Sequence, residues 1–300
     1  MPLSNFPHGF MNGVSVLGMP ILNSYVGQLL FVDSSAPGAS DQNAGTRQKP
    51  LATVKGAITK ARSVAFSGNN AVRIILANSH AESFAAATTL SATNGPIEIV
   101  GMGSDDDLPT FTLTTAAGAT LKLGSAGMKL VNVKIITNFA VTAALTLGAK
   151  NCVAERVRIY DGTASMLTAI SVAGGGANAA DRSRIIGCTV KALGATNHIL
   201  LGEVDDMIEI SDCELIGSAS TASIANPTAT VMTRLIINRN NIGQTHATGK
   251  GIGLVSASTG LTVSNYMSVP TSGNELAGSG MFFVNNRAAN TAGSADKAVP

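Results

Sequence analysis

The sequence predicts an all-β chain: a right-handed parallel β-helix, a solenoid of strand coils of roughly 25 residues, behind an extended N-terminal arm and a short capping helix. Three observations carry this. First, seven segments repeat one order: an apolar residue, two spacers, an anchor, one spacer and usually another apolar residue. They are Leu130/Val133/Ile135, Ala154/Val157/Ile159, Ile185/Cys188/Val190, Ile210/Cys213/Leu215, Ile237/Asn240/Ile242, Val263/Tyr266/Ser268 and Phe283/Asn286/Ala288. Their anchors follow one another at 24, 31, 25, 27, 26 and 20 residues. Second, another short strand trails several anchors by roughly 13 to 15 residues: Leu145–Leu147, Ile170–Val172, Ile199–Leu201 and Ile252–Leu254. Third, apolar residues make up 45% of the 300 residues and charged ones only 13%, with 32 Gly. Small residues in that number suit tight turns and flat stacked faces. A β-sandwich shares the strand signals but not the long repeat.

Four regions follow. Residues 1–30 read as an arm, because Gly9, Gly13, Gly18, Pro20 and Gly27 interrupt any helix while the segment is too apolar to float in water. Residues 31–70 hold a lead-in loop and a helix. Phe31-Val32-Asp33 forms a strand, a Ser/Gly/Asn/Pro loop runs to Pro50, and Thr53 caps a helix from about Val54 to Val64 with Val54, Ala57, Ile58 and Ala61 on one face. Such a helix covers the open first coil of a solenoid. The order Asp33, Gly38, Asp41, Asn43, Gly45-Thr46, Pro50, Thr53, Ala57, Ala61 resembles the lead-in of many pectate-lyase-like β-helix proteins. Residues 71–286 are the β-helix, with Val72–Leu76, Ile97–Val100, Thr110–Leu113 and Thr120–Leu123 as less regular first coils. Residues 287–300 read as a tail.

Chemistry is sparse. A glycoside hydrolase needs two carboxylates facing one groove, one of them kept protonated. The candidates are Asp105-Asp106-Asp107, the group Glu203, Asp205 and Asp206, and the lone Asp161; the triplet reads as a solvated loop and Asp205-Asp206 as turn residues. Arg184 and Arg234 lie in strands without the Asp cluster a calcium-dependent lyase would want. The chain has no Trp and only three Tyr to stack on sugar rings. The four His are scattered, and Cys152, Cys188 and Cys213 show neither metal-ligand spacing nor a disulfide framework. Gly101-Met102-Gly103 and Gly174-Gly175-Gly176 are turn glycines, lacking the rest of a nucleotide-binding motif. No catalytic residue, cofactor or metal is expected. The net charge of +2 shows no basic stripe for nucleic acid. No stretch is long and apolar enough for a membrane span, and no signal peptide is visible, so folding in a reducing cytoplasm is expected.

The opening string Pro2-Leu3-Ser4-Asn5-Phe6-Pro7-His8-Gly9-Phe10, then Gly13-Val14, Gly18-Met19-Pro20 and the lead-in loop, resembles virion proteins of tailed bacteriophages. The resemblance implies a non-catalytic, head-associated cement or decoration protein on the capsid surface. That protein would be a homotrimer against the major capsid protein of the same virion, locking neighbouring shell subunits together. The arm would supply the contact through Phe6, Phe10, Met11, Val14, Val16, Leu17, Met19, Ile21 and Leu22. The alternative is a tailspike or receptor-binding β-helix protein that binds or cleaves host-surface glycans. The repeat also places Arg184 beside Glu209 and Asp212 beside Arg239 on consecutive coils, as ladder ion pairs.

Overall fold

The computed structural model describes residues 28–63, 72–92, 96–163, 165–227, 230–271, 273–277 and 280–290, with strands also at Val14–Val16, Met19–Ile21 and Lys297–Val299. The described residues form a parallel β-solenoid of about eight turns with one short helix. Each regular coil runs through three strand positions. The first sheet stacks ten strands, from Leu29–Val32 to Met281–Val284. The second begins at Ala81–Phe84 and runs through Arg158–Asp161 to Asn286–Asn290, and the third begins at Thr88–Leu90 and passes through Leu121–Leu123, Leu145–Leu147 and Thr168–Val172. In two coils the second and third positions merge into long bent strands, Thr189–Leu201 and Glu214–Ala225.

Parallel in-register stacking brings like residues together about every 4.8 Å. The inward column of the first sheet reads Leu30, Ile74, Ile99, Leu130, Ala154, Ile185, Ile210, Ile237. The third sheet contributes Leu121, Leu145, Ile170, Ile199, Ile224 and Ile252. All of these are buried, each worth about 1.5–3 kcal/mol where the side chain is large. A sandwich would need antiparallel layers; these sheets pair in parallel throughout the solenoid body.

Two corners recur at fixed phase. Between the first and second sheets the chain turns on one left-handed residue: Asn132, Arg156, Gly187, Asp212, Arg239, Ser264 and Asn285, with φ between 51° and 60°. Before the first sheet Gly127, Asn151, Arg182, Met207 and Arg234 do the same. Behind the first corner sit the anchors. Val133, Val157, Cys188, Cys213 and Asn240 share one column, as the repeat predicts. The next member is Asn265, not Tyr266: the register pairs Asn241 with Tyr266, and Tyr266 faces solvent. The reading by hydrophobic pattern favoured the aromatic residue. The column instead changes chemistry here, to a ladder of buried Asn240, Asn265 and Asn286 whose amides bond one another and the corner backbone.

The helix α1, Val54–Ser63, forms as expected. Thr53 Oγ1 accepts the Gly56 N–H at 2.9 Å, and Asp41 accepts the N–H groups of Ala52 and Thr53. A Cβ at residue 56 would lie 2.2 Å from the Asp41 carboxyl carbon, so Gly56 leaves room for the Asp41 clamp. Val54, Ala57, Ile58 and Ala61 are buried over the first coil. His80 is buried beside them: its Nδ1 accepts the Ser34 N–H at 3.1 Å, and Nε2 faces Glu82, which also accepts the Val54 N–H. At the other end the repeat extends past residue 286: Asn286–Asn290 completes the last coil, and Lys297–Val299 pairs with it antiparallel. Val14–Val16 and Met19–Ile21 form a small antiparallel hairpin. Phe6, Phe10, Met11, Leu17 and Leu22 lie outside the described residues, as do the side chains of Val14, Val16, Met19 and Ile21.

Candidate functional site

Outward positions of the third sheet build a groove of about 380 Å³, lined by Thr120, Lys122, Thr142, Thr146, Ser171, Gly175 and Glu203 among others. Register explains the floor. Lys122, Thr146 and Ser171 occupy one outward column on three consecutive coils, so a cation and two hydroxyls stand in line. Thr120 and Thr146 hydroxyls approach to 3.4 Å. Gly148 leaves room for the Lys122 stem, which would meet a Cβ at 2.1 Å.

Glu203 closes the end. Its carboxylate accepts the N–H groups of Gly174, Gly175 and Gly176 at 2.8–3.0 Å. Successive N–H groups of this kind form a nest for an anion, and here they hold a side chain of the next coil. The glycine triplet is thus more than a turn, although only the fold reveals its partner. Behind the groove Asp205 is buried; its Oδ1 accepts the Ala180 N–H at 3.0 Å and its Oδ2 has no partner. Burial pushes Asp205 up to about 6, and the negative charges of Asp181 and Glu203 add to this. One positioned carboxylate at a groove, with an acid of raised pKa behind it, marks a functional candidate.

The other sequence candidates separate. Asp206 is held below the usual carboxylate range by the Arg234 guanidinium and also accepts from Thr233. Asp161 accepts the N–H groups of Met166 and Leu193 and the Thr137 hydroxyl, tying three consecutive coils together. Asp105 pairs with Arg158 at 2.9 Å on a different face, where Lys191 lies 5.8 Å over the Tyr160 ring. Arg184–Glu209 and Arg239–Asp212 meet at 2.8 and 2.7 Å as predicted. Burial raises the Cys152 thiol to about 11 and holds Cys188 well above its ordinary value, marking structural thiols. Among the described residues no group of His, Cys, Asp and Glu could hold a metal ion, and no helix is long and apolar enough to cross a membrane. Lys122, Thr120, Thr146 and Ser171 escaped the sequence reading, because an outward Thr or Ser in a strand looks like ordinary surface.

No family model and no curated protein matches the chain. A solved structure does. A rhamnogalacturonan lyase superposes with a TM-score of 0.53 at 15% identity, over 88% of this chain and 74% of the lyase. The fold is pectate-lyase-like. A GH136 lacto-N-biosidase from Eubacterium ramulus also matches, with a TM-score of 0.42 at 9% identity over 88% of this chain and 68% of its own. The lyase likeness corrects the expectation that the chain is not an enzyme. That expectation rested on the lack of a convincing carboxylate pair or lyase-type Asp cluster and on the scarcity of aromatic residues, yet a lyase is built on this same solenoid.

Proposed function

We propose that this chain binds a surface polysaccharide in the third-sheet groove, and that Glu203 and Lys122 are the groups that act on the bound sugar. The observation that carries the reading is the in-line column Lys122, Thr146, Ser171 in one groove with the clamped carboxylate of Glu203. Hydroxyls on consecutive coils recur about every 4.8 Å, close to one sugar residue, and suit a chain laid along the solenoid axis. Lys122 suits an acidic sugar and Glu203 a sugar hydroxyl. The opening string supports a place on a phage particle, so the polymer would belong to a bacterial surface. A head-cement role for the same particle-bound chain is the second reading, supported by the same string; it concerns where the protein sits, not whether it acts on glycan.

The test is a panel of capsular, lipopolysaccharide and uronate-rich polymers, read by affinity and by change in polymer length. Glu203→Gln and Lys122→Ala should each lower binding or turnover at least tenfold, with the circular dichroism spectrum unchanged. Retention of full binding by both variants would sink the groove reading. Immunogold imaging of intact particles would then separate head from tail.

A further inference from the structure

The outer face of the first sheet changes character along its length. One outward column reads Leu29, Arg73, Glu98, Lys129, Val153, Arg184, Glu209, Ile236, Leu261, Phe282. In its middle, charges neutralise one another: Arg73 meets Glu98 at 2.7 Å and Arg184 meets Glu209 at 2.8 Å. The last three coils carry no charge in this column, and Ile236, Leu261 and Phe282 are 42, 37 and 76% exposed. Val284, in the neighbouring outward column, is 48% exposed. The final strand Met281–Val284 is also an edge. Its counterpart in the second sheet, Asn286–Asn290, is covered by Lys297–Val299, whereas no described residue pairs beyond Met281–Val284. An apolar open edge is a template for another strand.

We propose that this edge pairs with the same edge of a second copy, antiparallel about a two-fold axis through Phe283, joining two solenoids end to end. The hydrogen-bonding groups select that register. The Val284 carbonyl accepts the Ser264 N–H on the inner side. Groups alternate along a strand, so the N–H and C=O of Phe283 point away, toward the open side. Two Phe283 residues facing across the axis then exchange both bonds. The same register sets Phe282 opposite Val284 of the second copy, on the same outer face, in the closer non-hydrogen-bonded pair. The two apolar columns become one stripe, and Phe283, which packs partly buried at the end of the core, is covered as well. A self-complementary patch under a two-fold axis closes on itself and cannot propagate into fibres. Across the seam only Phe282 and Val284 meet, while Leu261 and Ile236 stay on the outer face one and two coils back. The side-chain contact therefore falls well below a standard interface, the strand pairing carries most of the contact, and a dimer of micromolar strength is expected.

Sedimentation velocity of the full chain from about 1 to 100 μM should show a monomer–dimer equilibrium. Replacing Phe282 and Val284 together by Lys, both at exposed positions, should shift it to monomer with unchanged circular dichroism. A second measurement does not depend on that variant's folding. Phe282→Cys and Val284→Cys proteins, mixed under mild oxidation, should form a disulfide-linked dimer containing one of each. Each protein alone should link far more slowly, because its thiols are offset by two residues. A monomer across the whole range, a dimer indifferent to the double Lys variant, or equal linking by each Cys protein alone would each overturn the proposal.

Discussion

Replacing Asn265 by Ala probes the column in which the core turns from apolar to polar. Asn265 is 1% exposed, and its amide serves four bonds. Its oxygen accepts the Asn240 backbone N–H and side-chain Nδ2, both at 2.9 Å, while its nitrogen donates to the Ile237 carbonyl at 3.0 Å and to Asn286 Oδ1 at 2.9 Å. Two partners have other bonds: Asn240 Nδ2 also reaches the Ile210 carbonyl, and Asn286 Oδ1 also accepts the Asn265 backbone N–H. The Asn240 N–H is left orphaned, and the Ile237 carbonyl loses its amide donor. A buried polar group stripped of its partner costs about 1–3 kcal/mol, so the substitution should destabilise by about 3–5 kcal/mol in all. Equilibrium urea unfolding, followed by circular dichroism, measures this directly. Cys213→Ala is the matched control one coil from the ladder. It removes a thiol and little else, and should cost about 1–2 kcal/mol. If Asn265→Ala loses less than about 1 kcal/mol, the amide ladder is not what holds the last coils and the argument from orphaned groups fails.

Other outcomes follow from particular residues. Asp205 is raised from 3.8 to about 6 in the fold, so the folded state holds its proton more tightly and stability from this group falls as pH rises through that window. Asp205→Asn should therefore stabilise at pH 7 by up to about 3 kcal/mol while keeping the acceptor for Ala180. His198 is lowered from 6.5 to about 4 by burial, so its contribution has the opposite slope, lost as pH falls from 6.5 to 4. In Asp205→Asn the thermal midpoint should accordingly climb between pH 4 and 6.5, and a flat profile would refute the His198 assignment. Ser264→Gly relieves a left-handed residue at φ 54° and should raise stability by about 0.5–1 kcal/mol in urea titration. A double-mutant cycle on Arg184 and Glu209 should give a coupling of about 0–1 kcal/mol, since both side chains are partly exposed.

The periodicity made the solenoid legible because stacked coils repeat the inward residue at one phase, and Cys188 over Cys213 shows how well that works. It misplaced Tyr266 because apolar pattern was the only criterion, and a buried Asn satisfied by its neighbours breaks that criterion. The spacing of Asn240 and Asn286 already marked Asn as an anchor type, and Asn265 lies between them at the right interval. The α1 cap was visible through Thr53 and four small apolar residues; the Asp41 clamp beneath it spans 12 residues and was not. For the groove, Glu203 stood in the sequence as one candidate carboxylate. Its meaning depended on glycines 27 to 29 residues earlier, brought against it by coil stacking alone. Outward hydroxyls carry no signal until their column is known.

The single-residue corners have an architectural consequence. From Lys129 onward, the step from the first to the second sheet is always five residues: Lys129 to Lys134, Val153 to Arg158, Arg184 to Thr189, Phe282 to Arg287. The step from the third sheet back to the first varies, from six residues between Leu276 and Phe282 to fourteen between Ile170 and Arg184. Length variation is thus tolerated along the margin that carries the Gly174–Gly176 nest and refused at the corner opposite. A doubled connection there costs only about 0.6 kcal/mol in closure entropy. One margin can be rewritten, by selection or by grafting, to suit a new ligand, while the opposite corner keeps every coil in step.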